Sequence, residues 1–458
     1  MRLSPTSLER LPPEVERYQY DRGAQAIGIV HFGIGAFHRA HQAWYTDLAM
    51  NGGAKGWAIC GVSLRSGTVR AQLAPQGGLY SLTGRDAEGI AVRVIGAVRE
   101  VLFAAEDFAL IAERIASPDC RIISFTVTEK GYCRAADGLL DFAAAQDGFY
   151  PLLAEGLRRR MEAGLPGLSL MSCDNLSSNG DVLARLMGEY LGSRAPALAA
   201  WLAAECACPN SMVDRIVPAA TEAALAETEA ILGMRDEGAV VTERFSQWVI
   251  EDRFAGPRPP WARHGVEIVA NVAPYETAKL RMLNGAHSAL AYLGLERGHS
   301  FVHQAIADPE LRALVERIMR QEAATSFTPA PGQDLGAYAD ALLARFANPA
   351  LNHRLAQIAM DGSEKVPQRW LPVLAFHQAK GRSCPAILTA LKAWMRHIRG
   401  DGRKVDDPLA GALAAHWRSA GRAGIAAALF GHDGIFAAHW RASDDALKAL
   451  TEKLGERI

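Results

Sequence analysis

Residues 27–35 read IGIVHFGIG, and the reading of that stretch decides the fold. Residues 27–32 form a short, almost wholly apolar run of the kind that makes a strand covered on both faces. Gly33 and Gly35 break it. The following AFHRAHQAWYTDLAM, 36–50, has helical periodicity, with Phe37, Trp44, Tyr45 and Leu48 able to share one side. Strand, glycine turn and helix in that order open a nucleotide-binding βαβ unit, in which the turn approaches a pyrophosphate and the helix offers unpaired N–H groups. A third glycine is absent, His38 standing at its position. A bare pair of glycines also suits a turn that only packs helix on strand. His38, Arg39 and His41 are expected at the mouth of the site, where they could hold phosphate or substrate oxygens or simply face solvent.

Working outward, 57–62, 91–95, 121–127 and 168–172 supply further strand-like runs, and 104–115 and 150–163 supply helices. This alternation predicts a largely parallel sheet covered by helices. Past residue 270 strand-like runs become rare. Alanine- and leucine-rich helical stretches dominate instead: 277–295, 309–322, 335–346, 386–397 and 444–454, with loops at 328–332 and 400–408. The fold class is therefore α/β. A Rossmann-like dinucleotide-binding domain over 1–270 precedes a mainly helical substrate and catalytic domain over 271–458.

At 458 residues the chain exceeds one ordinary core, and two domains are the default. Forty-nine basic against 50 acidic side chains leave no cationic excess for a polyanion, so a nucleic-acid partner is not expected. No apolar run is long enough to span a bilayer, and the first residues lack a signal peptide's apolar core. Seven scattered cysteines read as reduced thiols, and Cys206 and Cys208 sit too close for zinc spacing. A cytoplasmic protein without a structural zinc is expected.

A carboxylate after the second strand would favour NAD by bonding the ribose 2′-hydroxyl. Here that position reads GVSLRSGTVR, with Arg65 and Ser66, which leans toward tolerating NADP. Thr128, following a later strand, is expected near the nicotinamide half.

The segment KLRMLNGAH, 279–287, sets a lysine, an asparagine and a histidine among apolar residues. On a regular helix, with Lys279 at zero, Glu276 falls at about 60°, His287 at about 80° and Asn284 at about 140°. These four groups share one arc. Desolvation lowers a lysine's pKa and makes it a usable general base, an asparagine can stabilise a developing alkoxide, and a histidine can orient a hydroxyl. A helix whose polar side faces water is the alternative.

Seven ordered blocks carry a family resemblance: GIVHFGIGAFHRAHQA, SFTVTEKGYC, MSCDNLSSNG, PNSMVDRIVPAAT, FSQWVIEDRF, KLRMLNGAHSALAYLG and AMDGSEKVPQRWLP. On them the chain resembles the long-chain mannitol dehydrogenase family, which includes polyol 2-dehydrogenases and fructuronate reductases. The resemblance implies metal-independent hydride transfer between NAD (or NADP) and the secondary alcohol or ketone of an open-chain sugar derivative. It implies Lys279 as the base, Asn284 and Asn175 as holders of the reacting oxygen, and His287 as a substrate ligand. Glu276 would pass protons from the lysine, and Asp214 would support the network. Gly33, Gly35, Ala36, Phe37, His38, Arg39, Arg65 and Thr128 would contact the cofactor. Many members of the family are monomers, and no heptad pattern here demands a partner.

The block MDGSEKVPQRW is similar to the branch that reduces sugar acids, and Lys365 and Arg369 are its candidates for a substrate carboxylate. D-Mannonate/D-fructuronate is therefore the first expected pair. D-Mannitol/D-fructose and D-arabinitol/D-xylulose are the alternatives. A catalytically silent sugar or nucleotide sensor would keep the domains and lose the base, whereas Lys279, Asn284, Asn175 and His287 are all present.

Overall fold

The computed structural model describes residues 1–86, 88–135, 137–192, 194–350, 352–400, 404–452 and 454–455. It divides into two compact units, Met1–Ala273 and Pro274–Ile458.

The first unit is built on five parallel strands: β1 (Ile27–Phe32), β2 (Ala58–Ser63), β3 (Val98–Phe103), β4 (Ile122–Phe125) and β5 (Ser169–Ser172). Their order is β3-β2-β1-β4-β5. The chain thus starts in the middle, adds strands to one side, and then crosses to the other, reversing between β1 and β4. β2, β4 and β5 are buried along their whole length, which is why they read as continuous apolar runs.

Two expectations fail here. The run at 91–95 belongs to Gly89–Ile95, which pairs antiparallel with Tyr80–Asp86 in a separate four-stranded sheet. The third strand of the parallel sheet is instead β3. It lies at the sheet edge with Arg99 exposed and Glu100 half-exposed, so it shows no unbroken apolar run. A further sheet of Ser211–Asp214, Gln247–Glu251 and Glu267–Val269 completes the unit.

The helix expected over 36–50 is two helices, α1 (Ala36–Ala40) and α2 (Gln42–Asn51), broken at His41 where φ is −119° and ψ −92°. The break turns α2 so that Tyr45, Thr46 and Asp47 are buried while Trp44 and Leu48 are only half-buried. Asp47 accepts from Tyr20 Oη at 2.7 Å, from Gly96 N at 2.9 Å and from Arg93, so its burial is offset by charge-assisted bonds.

The second unit is helical, with no strand among its described residues beyond an isolated bridge of Phe301 with Arg354. Helices occur in each predicted stretch. Others, the 21-residue Ala410–Phe430 among them, carry too little apolar periodicity to stand out in the sequence. Of the loop at 400–408, residues 401–403 lie outside the described residues. The central element runs through α3 (Ala273–Ala278), a π turn over Lys279–Asn284, and α4 (Gly285–Glu296). Every residue of α4 from Gly285 to Gly294 is buried, and its small residues allow neighbouring helices to surround it. No described helix is long and apolar enough to cross a membrane.

Candidate active site

At the end of β1 the chain turns sharply. Gly33 has φ 92°, and a Cβ there would lie 2.2 Å from the carbonyl oxygen of Thr126, so only glycine lets the β1 turn approach the loop after β4. The Thr126 hydroxyl donates to Gly33 O at 2.7 Å, and His31 Nε2 lies 2.9 Å from that hydroxyl. Gly35 caps α1, and a Cβ on it would meet nothing nearer than 3.8 Å. Its open side adjoins exposed Ala36 and half-buried Phe37.

A cavity of about 240 Å³ opens there, lined by Gly33, Gly35, Ser63, Arg65, Ser66 and Val69, with Thr126, Val127 and Thr128 on its far wall. It sits at the carboxyl ends of β1, β2 and β4, at the reversal of strand order, where open α/β sheets bind ligands. The glycine cradle, open where Gly35 carries no side chain, and one exposed guanidinium fit a dinucleotide's phosphates and ribose. Arg65 is exposed on this cavity, and Ser66 bonds Thr68. The nearby acids Glu106 and Asp107 are engaged by Arg70.

His38 and Arg39 are placed differently from expectation. His38 is fully buried and stacked on His31, ring centroids 3.4 Å apart, and burial holds its pKa well below the ordinary histidine value. Arg39 donates to the carbonyls of Gly35 and Gly238 and lies over the Tyr80 ring at 5.5 Å. α1 is only five residues long and its far side packs into the protein, so these side chains brace the turn from beneath instead of opening at its mouth.

Thr128 forms part of the cavity wall with φ 65° and ψ 164°, a region that β-branched residues avoid. Asn175 is exposed just beyond β5. Asp214 is buried at the end of its strand, and Arg215 next to it donates to Glu243 O and Ala40 O. The residue before Asn175, Asp174, was not distinguished by the sequence, since a lone acid beside an asparagine carries no motif. It is buried and accepts from Val127 N, Thr128 N and Tyr132 Oη at 3.0, 2.8 and 2.9 Å.

In the helical unit, Glu276, Lys279, Leu280, Arg281 and Asn284 are half-buried, while Tyr275, Ala278, Met282 and Leu283 point into the core. The π turn corrects the regular-helix arc. Bonds of the i→i+5 kind carry an extra residue per turn, so positions after it are offset by about 100° from α-helical expectation. The lag carries His287 from about 80° to about −20°, still on the Lys279 side; its ring is nonetheless covered, 8% exposed, by Phe346 and His353. Burial, with His353, Arg345 and Arg369 nearby, holds its pKa well below the ordinary value. It is a neutral imidazole, fit to donate or accept a hydrogen bond.

π turns disturb the backbone ladder, and here side chains take up two carbonyls at the turn's end. Arg369 donates to Asn284 O at 3.2 Å and to Ser288 Oγ at 2.8 Å, and Trp370 Nε1 donates to Gly285 O at 3.1 Å. Burial lowers the Arg369 pKa to about 10, which leaves it cationic at neutral pH. Lys365 donates to the carbonyls of Met360 and Ile358, closing the end of the helix Leu355–Ile358. Arg345, unmarked by any sequence motif, is buried near His287. Among the described residues no group of three or more His, Cys, Asp or Glu side chains converges as a metal site.

Residues 27–263 match the mannitol dehydrogenase Rossmann domain and 271–456 the mannitol dehydrogenase C-terminal domain. The chain is 40% identical to the D-mannonate oxidoreductase of Escherichia coli K12 over 95% of its own length and 94% of that protein. It is 38% identical to a mannitol 2-dehydrogenase of Phaeosphaeria nodorum, covering 86% of this chain and 74% of that one. The Pseudomonas fluorescens mannitol 2-dehydrogenase, solved as a ternary complex with NAD and D-mannitol, superposes with a TM-score of 0.84 at 34% identity. That match covers 99% of this chain and 96% of the other. Two matched domains across nearly the whole sequence, a glycine cradle at the strand reversal and a polar stripe on a π turn lead to one assignment: the chain belongs to the mannitol dehydrogenase family of NAD(P)-dependent oxidoreductases.

Proposed function

We propose that the chain interconverts an open-chain polyol and its ketose by hydride transfer, with mannitol/fructose or arabinitol/xylulose as the substrate pairs. The observation that carries this is the half-buried stripe of Glu276, Lys279 and Asn284 along the π turn. When bound, the nicotinamide ring supplies the two-electron chemistry. Lys279 Nζ takes the hydroxyl proton as the carbonyl forms and returns it during reduction. Asn284 and Asn175 donate amide N–H groups to the reacting oxygen, which is most negative as the proton leaves. Neutral His287 orients a substrate hydroxyl, Glu276 exchanges the lysine's proton with solvent, and Asp214 supports these groups. Gly33, Gly35, Ala36 and Phe37 receive the dinucleotide, with Thr128 on its nicotinamide side. NAD is the expected cofactor, and Arg65 lets NADP be accepted.

The uncharged substrate is favoured over the sugar acid by the positions of the two nominated cations. The Lys365 ammonium is engaged by backbone carbonyls, and one Arg369 nitrogen serves Asn284 O and Ser288. The sugar-acid reading keeps one support of its own: Arg345 and Arg369 both lie near His287, and guanidinium groups suit a carboxylate. Initial rates with fructose, xylulose, fructuronate and tagaturonate, each with NADH and NADPH, separate the two. The polyol reading expects higher kcat/KM for a neutral ketose. It also expects Arg369→Gln to lower neutral and acidic substrates alike, by about tenfold, the scale of a lost charged hydrogen bond. Fructuronate turnover alone, with a loss in Arg369→Gln confined to it, would establish the acid instead.

A further inference from the structure

The cavity wall opposite the glycine turn is the chain that follows β4, and one carboxylate ties it to the end of β5. β4 ends at Phe125, Thr126 N still donates to Phe32 O at 2.9 Å, and the next two amides leave the sheet. Both turn to Asp174, which lies just beyond β5. Val127 N reaches Oδ2 and Thr128 N reaches Oδ1, so the two carboxylate oxygens fix two consecutive peptide planes. Oδ2 also accepts from the Tyr132 phenol, which itself lies 2.5 Å from Ser172 Oγ. Asp174's own backbone is held by Leu176 N at 2.9 Å and Asn179 Nδ2 at 3.1 Å, both donating to its carbonyl.

Val127 sits between those two peptide planes, and Thr128 follows the second of them, with Gly131 N donating to Thr128 O at 2.9 Å and fixing the plane after it; Thr128 holds a φ,ψ pair that a glycine adopts without strain and a threonine does not. Left alone, the loop would relax to negative φ and carry the Thr128 side chain and the adjoining N–H away from the cavity. An acceptor-only group with two oxygens at fixed spacing is what resists this. A neutral amide presents one oxygen and would set an N–H₂ against a backbone N–H.

We propose that Asp174 is a positioning residue for the cofactor: together with Tyr132 it holds Thr128 in its strained conformation and so sets the wall of the dinucleotide cavity. The proposal rests on the reading that this cavity receives the dinucleotide. Asp174 touches neither cofactor nor substrate. Because Asn175 follows it directly, the same carboxylate registers the cofactor wall against an asparagine assigned to the reacting oxygen.

Burial raises the Asp174 pKa to about 6, against the lowering effect of its hydrogen bonds, with Glu129, Tyr132 and the Cys173 thiol as the titratable groups around it. Protonation converts one acceptor oxygen into a donor. The clamp therefore exists above about pH 6 and is lost as the pH falls through that value.

The test is a double-mutant cycle on the full-length protein, read by NADH titration and by steady-state kinetics. Asp174→Asn is expected to weaken NADH by about tenfold or more and to raise its KM more than it lowers kcat. In a Thr128→Gly background, where no strain needs holding, the same substitution should cost only about twofold. Wild-type affinity should fall toward that of Asp174→Asn between about pH 7.5 and about pH 5, while the variant stays flat. Equal NADH affinity in wild type and Asp174→Asn, an undiminished loss in the glycine background, or a pH-independent wild type would each overturn the clamp. Should Asp174→Asn not fold, Tyr132→Phe removes one donor from the same carboxylate; a several-fold weaker NADH affinity there supports the clamp and full affinity overturns it. A wild type that binds neither NADH nor NADPH removes the dinucleotide reading itself, whereas a binding wild type with an unimpaired variant removes only the clamp.

Discussion

The loop after β4 and the π turn before α4 depart from regular backbone for the same physical purpose by opposite means. In the first unit, Thr128 is forced to positive φ at a strand end, and a buried carboxylate accepts the amides that leave the sheet. In the second, a helix is widened by one residue, and a guanidinium and an indole donate to carbonyls at the end of the wide turn. One deformation demands acceptors and the other demands donors. Asp174 and the pair Arg369 and Trp370 are the corresponding answers. Irregular backbone places side chains where a regular strand or helix would not, and each irregularity persists because a neighbour satisfies it.

On the proposed function the comparison also divides the labour: the cofactor cavity belongs to the first unit, and the proton-transferring lysine to the π turn of the second. Lys279→Ala is the strongest way to break that division. Removing a general base is expected to lower kcat by about 10²–10⁴-fold, at the upper end here because burial keeps His287 a weak base. NADH affinity should stay within a few-fold of wild type. Rapid-quench turnover with calorimetric titration of NADH measures both, and a variant retaining normal turnover across neutral and alkaline pH would take the base role from the lysine. Asn284→Ala follows, with an expected loss of about 10²–10³-fold in the hydride step. A primary isotope effect on kcat tells whether that step is the one slowed, and an unslowed isotope-sensitive step would leave Asn284 as a backbone element of the turn.

The sequence showed these two regions unequally. The glycine turn was legible because Gly33 and Gly35 follow an apolar strand, a local signal with a steric cause. The polar helix was legible as a set of residues but not as a geometry. Counting 100° per residue assumes an unbroken α-helix, and nothing in KLRMLNGAH marks an i→i+5 turn; its stabilising donors, Arg369 and Trp370, lie 85 residues downstream of Asn284 and Gly285. His38 and Arg39 read as lining the mouth of the site because they directly follow the glycine turn. Here α1 ends after five residues, and the imidazole and guanidinium run inward to His31 and Gly238. The strand at 91–95 was placed in the wrong sheet, since alternating burial fits any half-covered strand and its partner Tyr80–Asp86 was not recognised. β3 was hidden by the charges that blunt a sheet edge.

The smallest expected effect tests the binding side alone. Arg65 is exposed at the cavity where the turn after β2 carries no carboxylate, and a dinucleotide's 2′-phosphate would meet its guanidinium there. An exposed charge pair in water is worth little, on the order of 1 kcal/mol or less, and salt screens it further. Arg65→Ala is therefore expected to weaken NADPH by about fivefold, to leave NADH nearly unaltered, and to leave kcat with either cofactor unchanged. The NADPH penalty should shrink as ionic strength rises, because the interaction lies within reach of the ionic atmosphere. Parallel KM measurements for the two cofactors at low and high salt give the answer. Equal losses for NADH and NADPH would show that Arg65 shapes the loop instead of meeting the phosphate, and a change in kcat would show that Arg65 does more than hold the cofactor.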